Sequence, residues 1–360
     1  MRVGLLIYGS LDILTGGFLY DRLLVDYLRR EGDEVEVISL PWRTYGRHLS
    51  DNLSAAFFQR LCRASCDVLI QDELNHPSVW WLNRRLRRRV GYPLVSIVHL
   101  LRSSEARPAW QNRFYRWVER RYLQTLDGLI FNSRTTGRQV EALIGPGCPS
   151  VVAYPGCDHV RPTLSPDAIA ARAEQPGALR VLFIGNLIPR KGLHVLIEAL
   201  AGLPQADWRL TVIGALDMDP AYVRRVRRQI DQVGAQAQIS LLGALPHEHV
   251  VPHLVSHQVL AVPSLYEPFG IVYVEALGFG QPVIATTVGA AHEIISHGRE
   301  GFLVAPGDSP SLARHLGHLH VDRRDLVRMS LAARQRYHSC PTWDDSARRI
   351  RHFLSTLVGP

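Results

Sequence analysis

Lysine is nearly absent from this 360-residue chain. Lys191 is the only lysine among its 41 basic residues, and the others are arginines. A planar guanidinium and a compact ammonium are not equivalent, so a single retained lysine indicates a site that needs a point charge. No apolar run reaches the roughly 18 residues that a transmembrane helix requires. These absences predict a specific role for Lys191 and a cytoplasmic protein, with peripheral contact at the inner face of a membrane as an open alternative.

Cysteine is scarce as well. The five cysteines are scattered, and the closest pair, Cys62 and Cys66, does not have the spacing of a zinc knuckle. The N-terminal segment MRVGLLIYGS has a short apolar run but no small-residue cleavage site. We therefore expect reduced thiols rather than disulfides, and a first β-strand rather than a signal peptide.

The composition is that of a globular protein, with 46% hydrophobic and 21% charged residues. The length favours two domains, each large enough to bury a core of its own. The formal net charge of +8 implies attraction to something anionic, such as a sugar nucleotide, a phospholipid headgroup or a nucleic acid.

Apolar runs alternate with turns and amphipathic segments along the chain, which predicts an α/β fold of parallel sheets. The first strands are expected at 3–8, 35–40, 68–71 and 94–98, and a second strand–helix series begins at 180. Residues 159–178 contain three prolines and little periodicity. We predict a Rossmann-like domain over 1–160, a linker over 161–178, a second Rossmann-like domain over 179–340 and a last helix over 341–360.

The stretch from 261 to 289 carries the densest set of functional signals. An apolar run ends at Pro263, a turn-rich loop follows, and 270–277 is an expected helix before a second apolar run. Ligands of parallel sheets bind where such loops meet helix N-termini, whose free amides suit a phosphate. Glu267 lies in the loop and Glu275 in the helix. A carboxylate at the second position can accept hydrogen bonds from two ribose hydroxyls.

PSLYEPFG at 263–270 and VEALGFGQPVIAT at 274–286 resemble the donor-binding signature of family 4 retaining glycosyltransferases, including its Glu-x7-Glu spacing. The resemblance implies the GT-B fold, in which two Rossmann-like domains face each other across a cleft and the last helix returns to the first domain. It also implies a hexosyltransferase that uses a nucleotide-diphosphate sugar, acts on a carbohydrate or lipid-linked acceptor in glycan or glycolipid assembly, and needs no metal or other cofactor.

The same resemblance assigns site residues. His99 at a strand end, Lys191 and Glu267 would be catalytic, with Lys191 neutralising the diphosphate. The donor-binding set would be Gly16, Gly17, Asn186, Arg190, Lys191, Gly214, Leu245, Glu267, Phe269, Gly270, Ile271 and Glu275. One position departs from the family pattern. Asn186 stands where the family has an arginine, so a positive charge on the leaving group is missing unless Arg190 or Arg102 replaces it.

Two patterns look like metal sites. Asp217-Met218-Asp219 has an Asp-x-Asp form, but a helix-capping role for Asp219 before Pro220 is more natural. The histidines at 247, 249, 253 and 257 include a spacing that could collect zinc on a helix, but Pro252 is expected to interrupt that helix. We therefore predict no metal site.

Five arginines between 84 and 89, behind Trp80-Trp81, predict a basic helix over 80–90. Such a helix can rest on an anionic membrane, although we favour a solvated face. It also supports an alternative function, a degenerate non-catalytic GT-B protein that binds nucleotide, anionic lipid or nucleic acid. No nucleic-acid motif is present, so we expect no nucleic-acid partner. A GT-B epimerase or phosphorylase is a further alternative, but the phosphorylase would need a cofactor lysine, and the only lysine is already assigned.

Overall fold

The computed structural model describes residues 1–13, 15–105 and 107–358. The chain forms two compact units, Met1–Gly156 together with Pro341–Pro360, and Cys157–Cys340. In the described part of the chain, no helix combines the length and the apolar character needed to cross a bilayer.

The first unit is built on a six-stranded parallel sheet in the order β2-β1-β3-β4-β5-β6. Strands β1, β3, β4 and β5 are almost entirely buried, as expected for apolar strands with helices on both faces. The strands are β1 Arg2–Tyr8, β2 Glu34–Leu40, β3 Val68–Asp72, β4 Leu94–Val98, β5 Gly128–Phe131 and β6 Ser150–Val152. The helices up to β6 are α1 Gly16–Arg30, α2 Tyr45–Asp51, α3 Ala55–Cys62, α4 His76–Val79, α5 Leu82–Leu86, α6 Ala109–Leu123 and α7 Arg134–Ile144.

The predicted basic helix over 80–90 is present only as the shorter helix α5, Leu82–Leu86. The structure has two short helices, α4 and α5, with Trp80 and Trp81 between them. The buried carboxamide of Asn52 explains the break, because its Oδ1 accepts hydrogen bonds from the backbone N–H groups of Trp81 and Leu82, each at 3.0 Å. These amides are therefore satisfied by a side chain rather than by the preceding helical turn.

The second unit contains another six-stranded parallel sheet, in the order β12-β11-β10-β7-β8-β9. Its strands are β7 Leu179–Ile184, β8 Trp208–Ile213, β9 Ile239–Gly243, β10 Val259–Ala261, β11 Val283–Thr286 and β12 Gly301–Val304. Its helices are α8 Pro166–Glu174, α9 Leu193–Ala201, α10 Pro220–Gln232, α11 His247–Ser256, α12 Ile271–Gly278, α13 Ala291–Ile294, α14 Ser309–Val321 and α15 Arg323–Tyr337.

The segment expected to be a linker, 161–178, lies within the second unit and contains α8. Pro166 starts this helix, where a proline loses no hydrogen bond, and Ser165 caps it through the backbone N–H of Ala168. Ile169 is fully buried, and Arg172 donates to the backbone oxygens of Leu254, Val255 and Gly280. These contacts anchor the segment to the core of the unit.

Pro252 does not interrupt its helix as expected. Helix α11 runs from His247 to Ser256 with Pro252 inside it. Pro252 is the sixth residue of the helix, so the missing N–H removes one hydrogen bond at the start of the intrahelical series.

The last helix, α16 Trp343–Val358, belongs to the first unit and packs against α1. Thr342 accepts from the backbone N–H of Asp345, and Arg351 donates to Asp33 at 2.7 Å. A Cβ on Gly156 would lie 2.2 Å from the backbone N of Trp343, so only glycine permits this close approach.

Candidate functional site

The loop between β10 and α12 holds Glu267 in a nearly buried position, with 6% of the residue exposed. Its backbone is tied to neighbouring loops. Leu265 N–H donates to Arg190 O at 2.7 Å, Thr286 Oγ1 donates to Ser264 O at 2.6 Å, and Ala290 N–H donates to Glu267 O at 2.9 Å. The loop is therefore fixed on both sides by the backbone of the same unit.

Two glycines allow this packing. A Cβ on Gly192 would lie 2.1 Å from Pro263 O, and one on Gly289 would lie 1.9 Å from Glu267 O. Both glycines also have positive φ angles, 73° and 75°, which other residues rarely adopt. Larger residues at either position would push the Glu267 loop out of place.

Lys191 and Glu267 form an ion pair, with Nζ 2.6 Å from Oε2. Ser264 Oγ donates to the same oxygen at 3.1 Å. Burial alone would raise the pKa of the Glu267 carboxyl. The charges of Lys191 and Arg190, with hydrogen bonds from Lys191 and Ser264, outweigh it and hold this pKa below its ordinary value. The only lysine of the chain thus lies beside a carboxylate that stays ionised.

Glu275 lies on α12, eight residues along the chain from Glu267, and is 9% exposed. Its Oε1 lies 2.7 Å from Nε2 of His159, and the ring of His247 lies 5.4 Å from that of His159. His159 was not predicted as a site residue, because it follows a turn far from 275 and no spacing links the two. Of the other predicted donor residues here, Gly270 caps α12 with a φ of 99°, Phe269 is buried and Ile271 is half-buried.

The remaining second-unit candidates lie at neighbouring strand ends. Arg190 donates to Tyr266 O at 2.8 Å. Asn186 Oδ1 accepts from Ala215 N–H at 3.2 Å, and a Cβ on Gly214 would lie 2.0 Å from Gly185 O, so the two loops touch. Leu245 is half-buried after β9. Asn186 therefore supports the turn after β8.

His99 and the glycine pair meet in the first unit. Helix α1 begins at Gly16, and a Cβ on Gly17 would lie 3.4 Å from Cδ2 of His99. His99 Nε2 lies 3.3 Å from Asp21 Oδ1. Burial lowers the pKa of His99, but the hydrogen bond and charge of Asp21, with the charges of Asp72 and Glu73, more than reverse this and raise it.

Buried carboxyl groups surround this edge of the first sheet, a feature that the sequence analysis did not predict. Burial raises the pKa of Glu73 to about 8 and that of Glu119 to about 7, and it also raises the pKa of Asp72. Arg102, considered above as a substitute cation, stacks over the rings of Tyr45 and Tyr115 at 5.1 and 5.0 Å.

Among the residues that the structure describes, three groups of side chains have donor atoms close enough to hold a metal ion, within 4.8 Å of one another. They are His159–His247–Glu275, Asp21–Asp72–His99 and Glu73–His76–Glu119. Asp217 and Asp219 belong to no such group among the described residues. Asp219 caps α10 by accepting from Tyr222 N–H at 2.9 Å, which confirms the capping interpretation.

Residues 12–156 match the glycosyl transferase 4-like domain, and residues 166–336 match glycosyl transferases group 1. The D-inositol 3-phosphate glycosyltransferase of Corynebacterium efficiens is 31% identical over 82% of this chain and 74% of its own length. That of Nocardia farcinica is 29% identical over 76% and 66%. The chain thus spans about two thirds of the length of the curated relatives it matches.

A solved structure supports the fold. Sucrose-phosphate synthase from Thermosynechococcus elongatus superposes with a TM-score of 0.82 at 21% identity, covering 98% of this chain and 97% of that one. This likeness confirms the predicted fold class of two Rossmann-like domains. Together with the matches in sequence, it leads to one conclusion: the chain belongs to the family 4 glycosyltransferases, which have the GT-B fold.

Proposed function

We propose that the protein is a retaining hexosyltransferase that transfers a sugar from a nucleotide-diphosphate donor to an acceptor hydroxyl in glycan or glycolipid assembly. The observation that carries this proposal is the Lys191–Glu267 ion pair, held at 2.6 Å at the edge of the second sheet. The Lys191 ammonium can bind a phosphate, and the ionised Glu267 carboxylate can accept hydrogen bonds from hydroxyls.

In the proposed reaction, Lys191 exchanges Glu267 for the leaving diphosphate. Negative charge grows on the β-phosphate as the glycosidic bond breaks, so a cation aimed at that phosphate stabilises the transition state more than the bound donor. Backbone N–H groups at the start of α12, which no side chain caps, would add to this stabilisation. Glu267, released from Lys191, accepts hydrogen bonds from the sugar. Retention without a protein nucleophile is inferred from the family.

The other roles follow the same assignment. Glu275 would accept hydrogen bonds from the ribose hydroxyls, and Arg190, Gly214 and Leu245 would lie along the nucleotide. In the first unit, the edge that carries His99 would bind the acceptor and the sugar, with Gly16 and Gly17 giving close backbone approach. Lys191 and helix amides would replace a metal ion, so turnover should be as fast in EDTA as in magnesium. Loss of activity on chelation, restored by magnesium, would contradict this.

The alternative is a non-catalytic protein that binds nucleotide, anionic lipid or nucleic acid. It is favoured by Asn186, whose carboxamide supports a turn at the position of the family arginine. Screening of nucleotide sugars by thermal shift, followed by turnover assays with inositol phosphates and lipid-linked sugars as acceptors, separates the two functions. Stabilisation by one nucleotide sugar together with turnover supports the transferase. Nucleotide binding with neither transfer nor donor hydrolysis would favour the alternative.

A further inference from the structure

Helix α6 exposes large aromatic side chains on one face. Trp110 is 72% exposed, Phe114 41% and Trp117 45%, and they are spaced three or four residues apart. The opposite face of the helix buries Tyr115, Val118, Tyr122 and Leu123 in the first unit. The helix is therefore apolar on both sides, and only one side is covered by its own domain.

The exposed side continues into the turn between α4 and α5. The ring of Trp80 packs edge-on against Trp117 at 5.1 Å, and Trp81 is 39% exposed. Among the exposed Trp and Phe side chains of the described residues, only Trp42 lies elsewhere. Single exposed apolar residues are ordinary, but a cluster of this size marks a contact surface.

Arginines lie among these aromatic residues. Arg113, Arg116 and Arg120 are exposed on α6, and the guanidinium of Arg121 stacks over Trp117 at 5.3 Å. The only acidic residue of the helix, Glu119, is buried. We call the surface formed by Trp81, Trp110, Phe114, Trp117, Arg113, Arg116 and Arg120 the aromatic–arginine face.

We propose that the aromatic–arginine face docks the protein on an anionic phospholipid bilayer. Indole rings prefer the boundary between headgroups and acyl chains, because one end of the ring is apolar and the other donates a hydrogen bond. Arginines keep their charge among the headgroups, where each contributes to attraction by an anionic surface. A helix that presents both groups and no exposed acid lies in the plane of the interface.

Helix α10 of the second unit offers a matched control. It also carries four arginines, Arg224, Arg225, Arg227 and Arg228, all of them exposed, but its aromatic residue, Tyr222, is buried. If charge alone governed membrane binding, the two helices would contribute equally. If the aromatic–arginine face binds, only α6 matters.

The test is co-sedimentation of the full chain with vesicles of phosphatidylcholine alone and of phosphatidylcholine with about one third phosphatidylglycerol. Binding to the anionic vesicles is expected. Arg113→Ala/Arg116→Ala/Arg120→Ala should weaken it about a hundredfold, at about fivefold per arginine. The matched Arg224→Ala/Arg227→Ala/Arg228→Ala variant should bind as the wild type does. Trp110→Ser should weaken binding about tenfold, and brominated lipids should quench the tryptophan fluorescence of the wild type.

Three outcomes would overturn the proposal. One is equal binding to both vesicle types, and another is equal loss in the two arginine variants. The third is evidence for another occupant, namely a self-association that Trp110→Ser abolishes in analytical ultracentrifugation, or binding to nucleic acid that depends on α6 while vesicles are ignored. Circular dichroism of each variant establishes that lost binding does not come from unfolding.

Discussion

At the carboxyl ends of their strands, the two sheets differ in the pairing and in the pKa of their buried acidic side chains. In the second unit the buried carboxylates at this edge, Glu267 and Glu275, each have a basic partner, because Glu267 bonds Lys191 and Glu275 bonds His159. In the first unit burial outweighs the charges of the nearby bases His76, His99 and Arg102, and the pKa values of Asp72, Glu73 and Glu119 are raised. The difference shows that similar sheets can either hold the pKa of a buried acid below its ordinary value, as at Glu267, or raise it, as at Glu73.

The largest effect is expected when the Lys191–Glu267 ion pair of the second unit is removed. Lys191→Ala should lower kcat by about a hundredfold to a thousandfold, because a positive group that meets growing charge is lost. Donor affinity should fall less, since the interaction is strongest in the transition state. Lys191→Arg should recover part of the loss, because a planar fork does not occupy a point-charge site without displacement. Steady-state kinetics with the donor found by screening measure these changes.

Arg227→Ala on the exposed face of α10 is the control for loss of one positive charge, and it should leave kinetics unchanged. Thermal unfolding of Lys191→Ala should be compared with that of Lys191→Ala/Glu267→Gln, which removes the carboxylate charge left without a partner. Turnover of Lys191→Ala near that of the wild type would end this assignment and point to Arg190 or Arg102.

The Glu275–His159 pair should affect the affinity for the nucleotide rather than the rate of sugar transfer. Glu275→Ala should weaken the affinity for a nucleoside diphosphate about ten- to 150-fold, the loss expected for a charge-assisted contact to hydroxyls. Affinity for inorganic pyrophosphate should hardly change, because pyrophosphate has no ribose. Isothermal titration calorimetry with both ligands makes this comparison, and equal losses for the two would assign Glu275 a structural role.

The stability of the two units should change in opposite directions as the pH falls. Glu73 and Glu119 have folded pKa values of about 8 and 7, above the unfolded values near 4.3, so their stabilising contribution is lost as pH rises from about 4.5 through 8. In the second unit, Glu267 has a lowered pKa, and burial lowers the pKa of His257 to about 4. The contribution of His257 is lost as pH falls below about 6.5, and that of Glu267 as pH falls below about 4.3.

Protection factors from hydrogen exchange, followed in β3 and β4 and in β7 and β8 across pH 4.5–8.5, would show the two trends. Each proton contributes a slope of about 1.4 kcal/mol per pH unit. Glu119→Gln keeps an acceptor for Ser103 N–H and should flatten only the profile of the first unit. Parallel pH profiles in the two units would contradict the comparison.

The smallest effect is expected where the second unit lacks a charge that the family has. Asn186→Arg adds a cation but removes the hydrogen bond from Ala215 N–H. A net gain of a few fold in donor affinity or turnover is expected, because the new charge faces a diphosphate while a single neutral hydrogen bond contributes little. Asn186→Ala isolates the cost of that bond. Weaker donor binding in Asn186→Arg than in Asn186→Ala would contradict the placement of the phosphate.

The sequence predicted the sheet strands well, because buried parallel strands are short continuous apolar runs such as 94–98. It predicted α12 and the glutamates around it from one local motif. It missed α2, α3 and α6, whose buried faces are interrupted by polar and aromatic residues. The break at Trp81 depends on Asn52, 29 residues away, and no local pattern contains that information.

The residues of the candidate site also fall into two sets, those that the sequence predicts and those that only the folded structure brings together. Lys191, Glu267 and Glu275 could be predicted because rarity and spacing are properties of the chain itself. The contacts of His159 with Glu275 and of Asp21 with His99 join residues 116 and 78 positions apart, so only the folded backbone brings them together. The buried acids of the first unit were missed since an isolated Glu73 or Glu119 looks like any surface glutamate.

Because Lys191 is the only lysine of the chain, it is also a specific target for chemical labelling of the candidate site. Within these 360 residues, an amine-directed acylating reagent has one side-chain target, the ε-amine of Lys191. The mass of the modified peptide therefore identifies the residue without sequencing. Because the side chain of Lys191 is 15% exposed, its acylation rate with and without a compound gives a scale of occupancy for any compound that covers it.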